Sequence, residues 1–217
     1  MAQPTSDLAI DATGVARRFG TRWVLRGVSV QVRAGEAVGL LGANGSGKST
    51  LLRIFGTLLR PSAGAVRVFG HDVATAADRV RTMLGFLAHT PGLYDDLTAR
   101  ENLRFAAAML GLEGAHDAAA NAALDRVGLS HASDERVRGF SAGMERRLAV
   151  ARMLLARPRL LLLDEPYSNL DADGIAMMSE IISGVVRGGG AAVVVLHELA
   201  PAAGILDRTV TLREGRI

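Results

Sequence analysis

Gly42-Ala43-Asn44-Gly45-Ser46-Gly47-Lys48-Ser49 stands between an apolar run, residues 37–41, and a helical stretch that starts at Lys48. The pattern GxxxxGK[ST] between a strand and a helix reads as a phosphate-binding loop. Its glycines let backbone N–H groups converge on phosphate oxygens with no side chain in the way. The helix that follows points its positive end at the same anion. On this reading Gly42, Ala43, Asn44, Gly45, Ser46, Gly47, Lys48, Ser49 and Thr50 bind ATP. Lys48 reaches the β- and γ-phosphates, and the Ser49 hydroxyl holds Mg²⁺. Lys48 is also the only lysine among the 25 Lys and Arg of the chain. A compact ammonium on a flexible stem is not interchangeable with a planar guanidinium fork.

A second acidic element lies downstream. Residues 160–163 are four leucines, followed by Asp164, Glu165 and Pro166. A buried strand delivers such acids to the end of the sheet where the phosphate loop also lies. Asp164 is expected to hold the hydration shell of Mg²⁺. Glu165, pointing the other way by strand alternation, is expected to polarise the attacking water. Taken alone, an acidic pair after a strand also fits a helix N-cap.

Short apolar runs at 8–10, 28–32, 66–69, 83–87, 191–196 and 209–212 read as further strands. Helices are expected over 48–59, from Thr98 onward, across 118–127, from Ser141 to Pro158, and over 172–186. Thr98 with Glu101 forms a capping box. The Ala-rich stretch 115–123 reads as helix rather than low complexity. Strands alternating with helices imply an α/β fold, its parallel sheet covered on both faces.

Composition narrows the class. Hydrophobic residues make up 49% and charged residues 22%, ample for a packed core, and the 4% aromatic content leaves that core to aliphatics. There is no cysteine, so disulfides and thiolate metal sites are excluded. A net charge of +3 is too mild to argue for nucleic acid. Residues 1–11 show no signal-peptide pattern, and no apolar run approaches the ~20 residues a membrane helix needs.

These motifs, with what lies between them, resemble the ABC transporter ATPase family along nearly the whole chain. Phe140-Ser141-Ala142-Gly143-Met144 is similar to that family's LSGGQ signature, with Ala142 in place of the first glycine. Ser168-Asn169-Leu170-Asp171 resembles its D-loop, His197 its switch histidine, and Phe19 the aromatic ring that stacks on adenine. For Phe19 a plain core role fits equally, and for His197 a structural one remains open. The resemblance implies a P-loop NTPase core with a mostly parallel sheet, an N-terminal antiparallel β subdomain and a helical subdomain. It places all of 1–217 in one domain, with the core at about 1–87 and 158–217 and the helical part at about 88–157. It also implies catalysis by Glu165 and His197 and a head-to-tail dimer, expected to be a homodimer. In that dimer Ser141, Ala142 and Gly143 serve the partner's ATP, and Asp171 lies in the D-loop. Integral membrane subunits would be the partners, with the chain peripheral on the cytoplasmic face of the inner membrane.

One position departs from the family pattern. The family's usual glutamine is here His89, in Leu87-Ala88-His89-Thr90-Pro91-Gly92. A neutral imidazole there can accept a hydrogen bond or ligate metal, so His89 joins the expected catalytic set. His89, Ser141-Ala142-Gly143 and Asp171-Ala172-Asp173-Gly174 resemble the ATPase subunit of the cytochrome c maturation haem exporter. Exporters of drugs, lipids or polysaccharides are the alternative. Soluble ABC proteins carry two cassettes or a long coiled-coil insertion, and neither pattern occurs in these residues. Glu165 and His197 argue against a non-hydrolysing module.

Overall fold

The computed structural model describes residues 7–112 and 116–217. Ala115, the first residue of the Ala-rich stretch, lies outside them. The chain opens with β1 (Leu8–Phe19), paired antiparallel with β2 (Arg22–Arg33). Then come β3 (Ala37–Leu41), α1 (Lys48–Phe55), β4 (Ala63–Val68), the short β5 (His71–Asp72) and α2 (Ala77–Arg81), and β6 (Leu84–Leu87). A helical stretch follows with α3 (Ala99–Met109), α4 (His116–Arg126) and α5 (Ala142–Leu154). The chain then returns to strand with β7 (Leu160–Asp164), α6 (Ala172–Arg187), β8 (Ala191–Val195) and β9 (Arg208–Thr211).

Two sheets result. One has the order β2-β1-β4-β5 and is antiparallel. The other has the order β6-β7-β8-β3-β9 and is parallel throughout. The antiparallel sheet is not drawn from the N-terminus alone, because β4 and β5 join it from beyond α1.

The parallel sheet explains the unbroken leucines of β7. Leu160 and Leu162, with Val38, Leu40 and Val193, pack beneath α1 and the antiparallel sheet, against Leu51, Leu52 and Ile10. Leu161 and Leu163, with Ala192 and Val194, face the helical side, against Leu103, Leu124, Leu148 and Met178. A strand buried on both faces has no polar side to show. Each leucine so buried contributes roughly 1.5–3 kcal/mol.

Local departures from the sequence reading have local causes. β1 runs nine residues past its expected end at Ile10. Its register shifts and the left-handed Gly14 (φ 61°) break the alternation that would reveal it. α1 stops at Phe55 rather than near Leu59: Gly56 stands where a Cβ would lie 3.0 Å from Phe86 Cδ2, and Thr57 turns left-handed at φ 61°. β5 and α2 are too short for any period to show. The Thr98–Glu101 capping box is present with both bonds.

Candidate active site

The register of the parallel sheet assembles the site. Leu40 on β3 pairs with Val195 on β8, which pairs with Asp164 on β7. Residues that follow these three positions therefore leave the sheet side by side. They are the phosphate loop, His197 and Glu165.

The loop has the backbone its glycines permit. Gly42, Gly45 and Gly47 lie at φ 146°, 75° and 109°. A Cβ on Gly42 would sit 2.3 Å from the Leu212 carbonyl oxygen, and one on Gly47 would sit 2.8 Å from Leu25 Cδ2. Lys48 is buried and donates from Nζ to the carbonyls of Gly42 (2.6 Å) and Ala43 (3.1 Å). The Ser46 hydroxyl is buried with no hydrogen-bond partner. An orphaned donor inside a ring of left-handed glycines fits an anion with several acceptor oxygens. Ser49 and Thr50 open α1 at its positive end.

Asp164 is buried, and no cluster of three His, Cys, Asp or Glu able to hold a metal exists among the described residues. One carboxylate and one hydroxyl suit Mg²⁺, which keeps waters and shares phosphate oxygens. Glu165 is half-buried and left-handed at φ 53°. The turn, not strand alternation, therefore sets its direction. A non-glycine residue in that region costs about 1–3 kcal/mol and persists only where neighbours fix it. Its Oε1 lies 2.6 Å from His197 Nε2, and its Oε2 lies 3.5 Å from His89 Nδ1. Ser168 Oγ donates to the same Oε2 at 3.4 Å. The three residues expected in catalysis thus meet at one carboxylate, which two imidazoles bracket.

That geometry gives a test of His89. Glutamine offers a neutral donor and acceptor at similar reach. His89→Gln should keep ATP turnover within about threefold of wild type. His89→Leu should lower it about five- to tenfold, the worth of one lost polar contact of about 1 kcal/mol. A leucine variant with wild-type turnover in a phosphate-release assay would make His89 a bystander.

The remaining expected residues lie elsewhere. Ser141 caps α5, its Oγ accepting from the Met144 N–H at 3.3 Å. Ser141 and Ala142 are exposed. Gly143 packs tightly, since a Cβ there would be 2.8 Å from the Asn169 carbonyl oxygen. Asp171 caps α6 through the Gly174 N–H (2.9 Å) and pairs with Arg147 (2.6 Å). The Gly174 N–H first, then the guanidinium, holds its carboxyl below the usual range. Phe19 is exposed at the end of β1 with the Arg17 guanidinium 4.6 Å from its ring centre. A plain core role is therefore ruled out for it. The recess beside the phosphate loop is lined by Trp23 and Val24 with Ala43, Asn44, Gly45 and Ser46.

Sequence reasoning missed Trp23 and, more importantly, Arg146. Arg146 is 3% exposed. Its Nη1 donates to the carbonyls of Ala88 (2.7 Å) and His89 (3.5 Å), and its Nη2 donates to the carbonyls of Asp164 (2.7 Å) and Glu165. The signal was available: Arg146 extends the buried stripe Ala149, Val150, Met153 one turn towards the N-terminus of α5.

Comparison with known proteins places this geometry. A family model described as ABC transporter matches residues 25–168. The chain is 44% identical over 182 residues to the cytochrome c biogenesis ATP-binding export protein CcmA of Xanthomonas axonopodis pv. citri (strain 306), covering 83% of each. It is 37% identical over 214 residues to the daunorubicin resistance ATP-binding protein DrrA3 of Streptomyces coeruleorubidus, covering 98% of this chain and 67% of that one. A solved dimeric ATP-binding cassette, MJ0796 in a post-hydrolysis state bound to ADP and Pi, superposes with a TM-score of 0.83 at 25% identity, covering 96% of both chains.

Proposed function

This chain belongs to the ABC transporter family as an ATP-hydrolysing subunit, and from that premise we propose that it powers the haem exporter of cytochrome c biogenesis. The relationship to the cytochrome c biogenesis export protein carries this reading, since identity there exceeds that to the daunorubicin resistance protein. His89, in the place of the family's usual glutamine, points the same way. The second reading is drug export, favoured by an alignment to the daunorubicin resistance protein that spans almost the whole chain. Deleting the gene and staining membranes for covalent haem separates the two. Loss of all c-type cytochromes supports haem export. Intact cytochromes with new sensitivity to an anthracycline would move the assignment to drug export.

The residue roles proposed are these. The phosphate loop and Lys48 bind ATP, and Phe19 stacks on its adenine. Ser49 and Asp164 hold Mg²⁺, which neutralises charge on the β- and γ-phosphates when bound. Glu165 polarises the attacking water, with His197 and His89 orienting the carboxylate. Two identical chains pair head to tail, so that Ser141, Ala142 and Gly143 at the start of α5 meet the partner's γ-phosphate. Asp171, locked by Arg147, holds the D-loop beside Gly143.

Among the described residues no helix is long and apolar enough to cross a membrane. The proposed site for a membrane-spanning partner is a groove of about 300 Å³ lined by Phe86, Tyr94, Phe105, Met109, Leu110 and Arg152. Tyr94 and Phe105 meet edge to face at 5.2 Å, and both are about half exposed; Met109 is 74% exposed. Contiguous exposed apolar side chains mark an interaction surface. This would hold the chain peripherally on the cytoplasmic face. Met109→Glu should leave the ATP affinity of the isolated chain unchanged and lower copurification with its membrane partner by about tenfold or more, as a buried charge demands. Undiminished copurification would remove the groove from the interface.

A further inference from the structure

We propose that Arg146 is a positioning residue that fixes the catalytic turn of Glu165 and the His89 loop to α5, the helix whose first turn carries Ser141. The inference rests on the reading of Glu165 as the group that polarises water.

The bonding pattern carries it. One guanidinium reaches two different strand ends. Nη1 holds Ala88 just past β6, and Nη2 holds Asp164 and Glu165 at the end of β7. A left-handed Glu165 must be held by its surroundings, and Arg146 donates to its own carbonyl. Six residues further along α5, Arg152 donates to the carbonyls of Pro91 (2.6 Å) and Gly92. The two arginines thus grip both ends of the 88–92 loop from a single helix.

Burial makes this arrangement costly, and so informative. Among the described residues no carboxylate is bonded to the Arg146 guanidinium, whose hydrogen bonds all go to backbone carbonyls, and its Nε is buried without a partner. Burial pulls its pKa below the usual arginine range, and the nearby charges of Asp164 and Glu165 only partly offset that. An apolar side chain at this position would leave those backbone carbonyls without a donor. A fork that reaches four carbonyls, of Ala88, His89, Asp164 and Glu165, at two strand ends is what a lysine cannot supply. Any displacement of Ser141 at the start of α5 is therefore passed, one turn on, to the Glu165 turn and to His89.

A double-mutant cycle tests this. Arg146→Lys keeps a positive charge and loses the fork; Arg146→Gln keeps two donors on a shorter stem and carries the cycle should the lysine variant not fold. Measured on folded protein, kcat should fall about tenfold or more while the dissociation constant for ATP stays within twofold. Combined with Glu165→Gln, the Arg146 substitution should add no further loss. A Glu165→Gln chain with wild-type turnover would instead bring down the assignment of Glu165 itself. If Glu165→Gln is slow as expected and the two losses multiply, or Arg146→Lys turns over normally, or ATP affinity falls in step with kcat, Arg146 is a packing residue only.

Discussion

Glu165→Gln should bind ATP as tightly as wild type and turn it over on the order of 10²–10⁴-fold more slowly, the usual worth of a positioned general base. The amide keeps the size and planarity of the carboxylate, so the left-handed turn, the Arg146 bond to the Glu165 carbonyl and the phosphate loop are undisturbed. It removes the acceptor charge that faces both His197 and His89. With hydrolysis blocked and binding intact, the ATP-bound dimer should accumulate and elute as such on size-exclusion chromatography. Normal turnover would reassign the base, and His197, which shares the 2.6 Å contact, is the next candidate. Slow turnover without a dimer would keep the base and challenge the head-to-tail pairing.

The parts of this site legible in the sequence were those fixed by backbone chemistry over a few residues. The phosphate loop is such a part, because its three left-handed glycines are dictated locally. Ser141 as the start of a helix, and the Thr98–Glu101 box, are read the same way. The four leucines of β7 announced a strand buried on both faces, and the sheet bears that out. What stayed hidden depends on tertiary neighbours. The direction of Glu165 follows from a φ of 53° that alternation does not foresee. Helical spacing puts Arg146 on the buried stripe of α5, but the four carbonyls that close on it from two strand ends are set by tertiary contacts. Trp23 lines the loop recess because β2 runs past the phosphate loop, with Val24 and Leu25 against Gly47, a contact between segments that local pattern does not show. For Phe19, exposure excludes the plain core role that the sequence left open.

Lys48→Ala should weaken ATP binding on the order of 10²-fold or more, and turnover should vanish with it. The ammonium is the only lysine charge in the chain, and it is buried at the mouth of the loop. Its present bonds, to the carbonyls of Gly42 and Ala43, are the kind a flexible stem can exchange for phosphate oxygens, a stronger partner. Charge-assisted bonds of this kind contribute about 1.5–3 kcal/mol each, so losing two amounts to at least two orders of magnitude in affinity. Mg²⁺, which Ser49 and Asp164 would hold on the proposed reading, would supply charge but not the N–H donors that the ammonium loses. The loop backbone itself should survive the substitution: Gly42, Gly45 and Gly47 keep their conformations without the side chain, and Ala43 is already exposed to water. A thermal melt close to wild type, beside a lost nucleotide titration, is therefore the expected pair of results. An alanine chain that binds ATP with wild-type affinity would remove the phosphate-loop reading, and with it the placement of every other residue in the site.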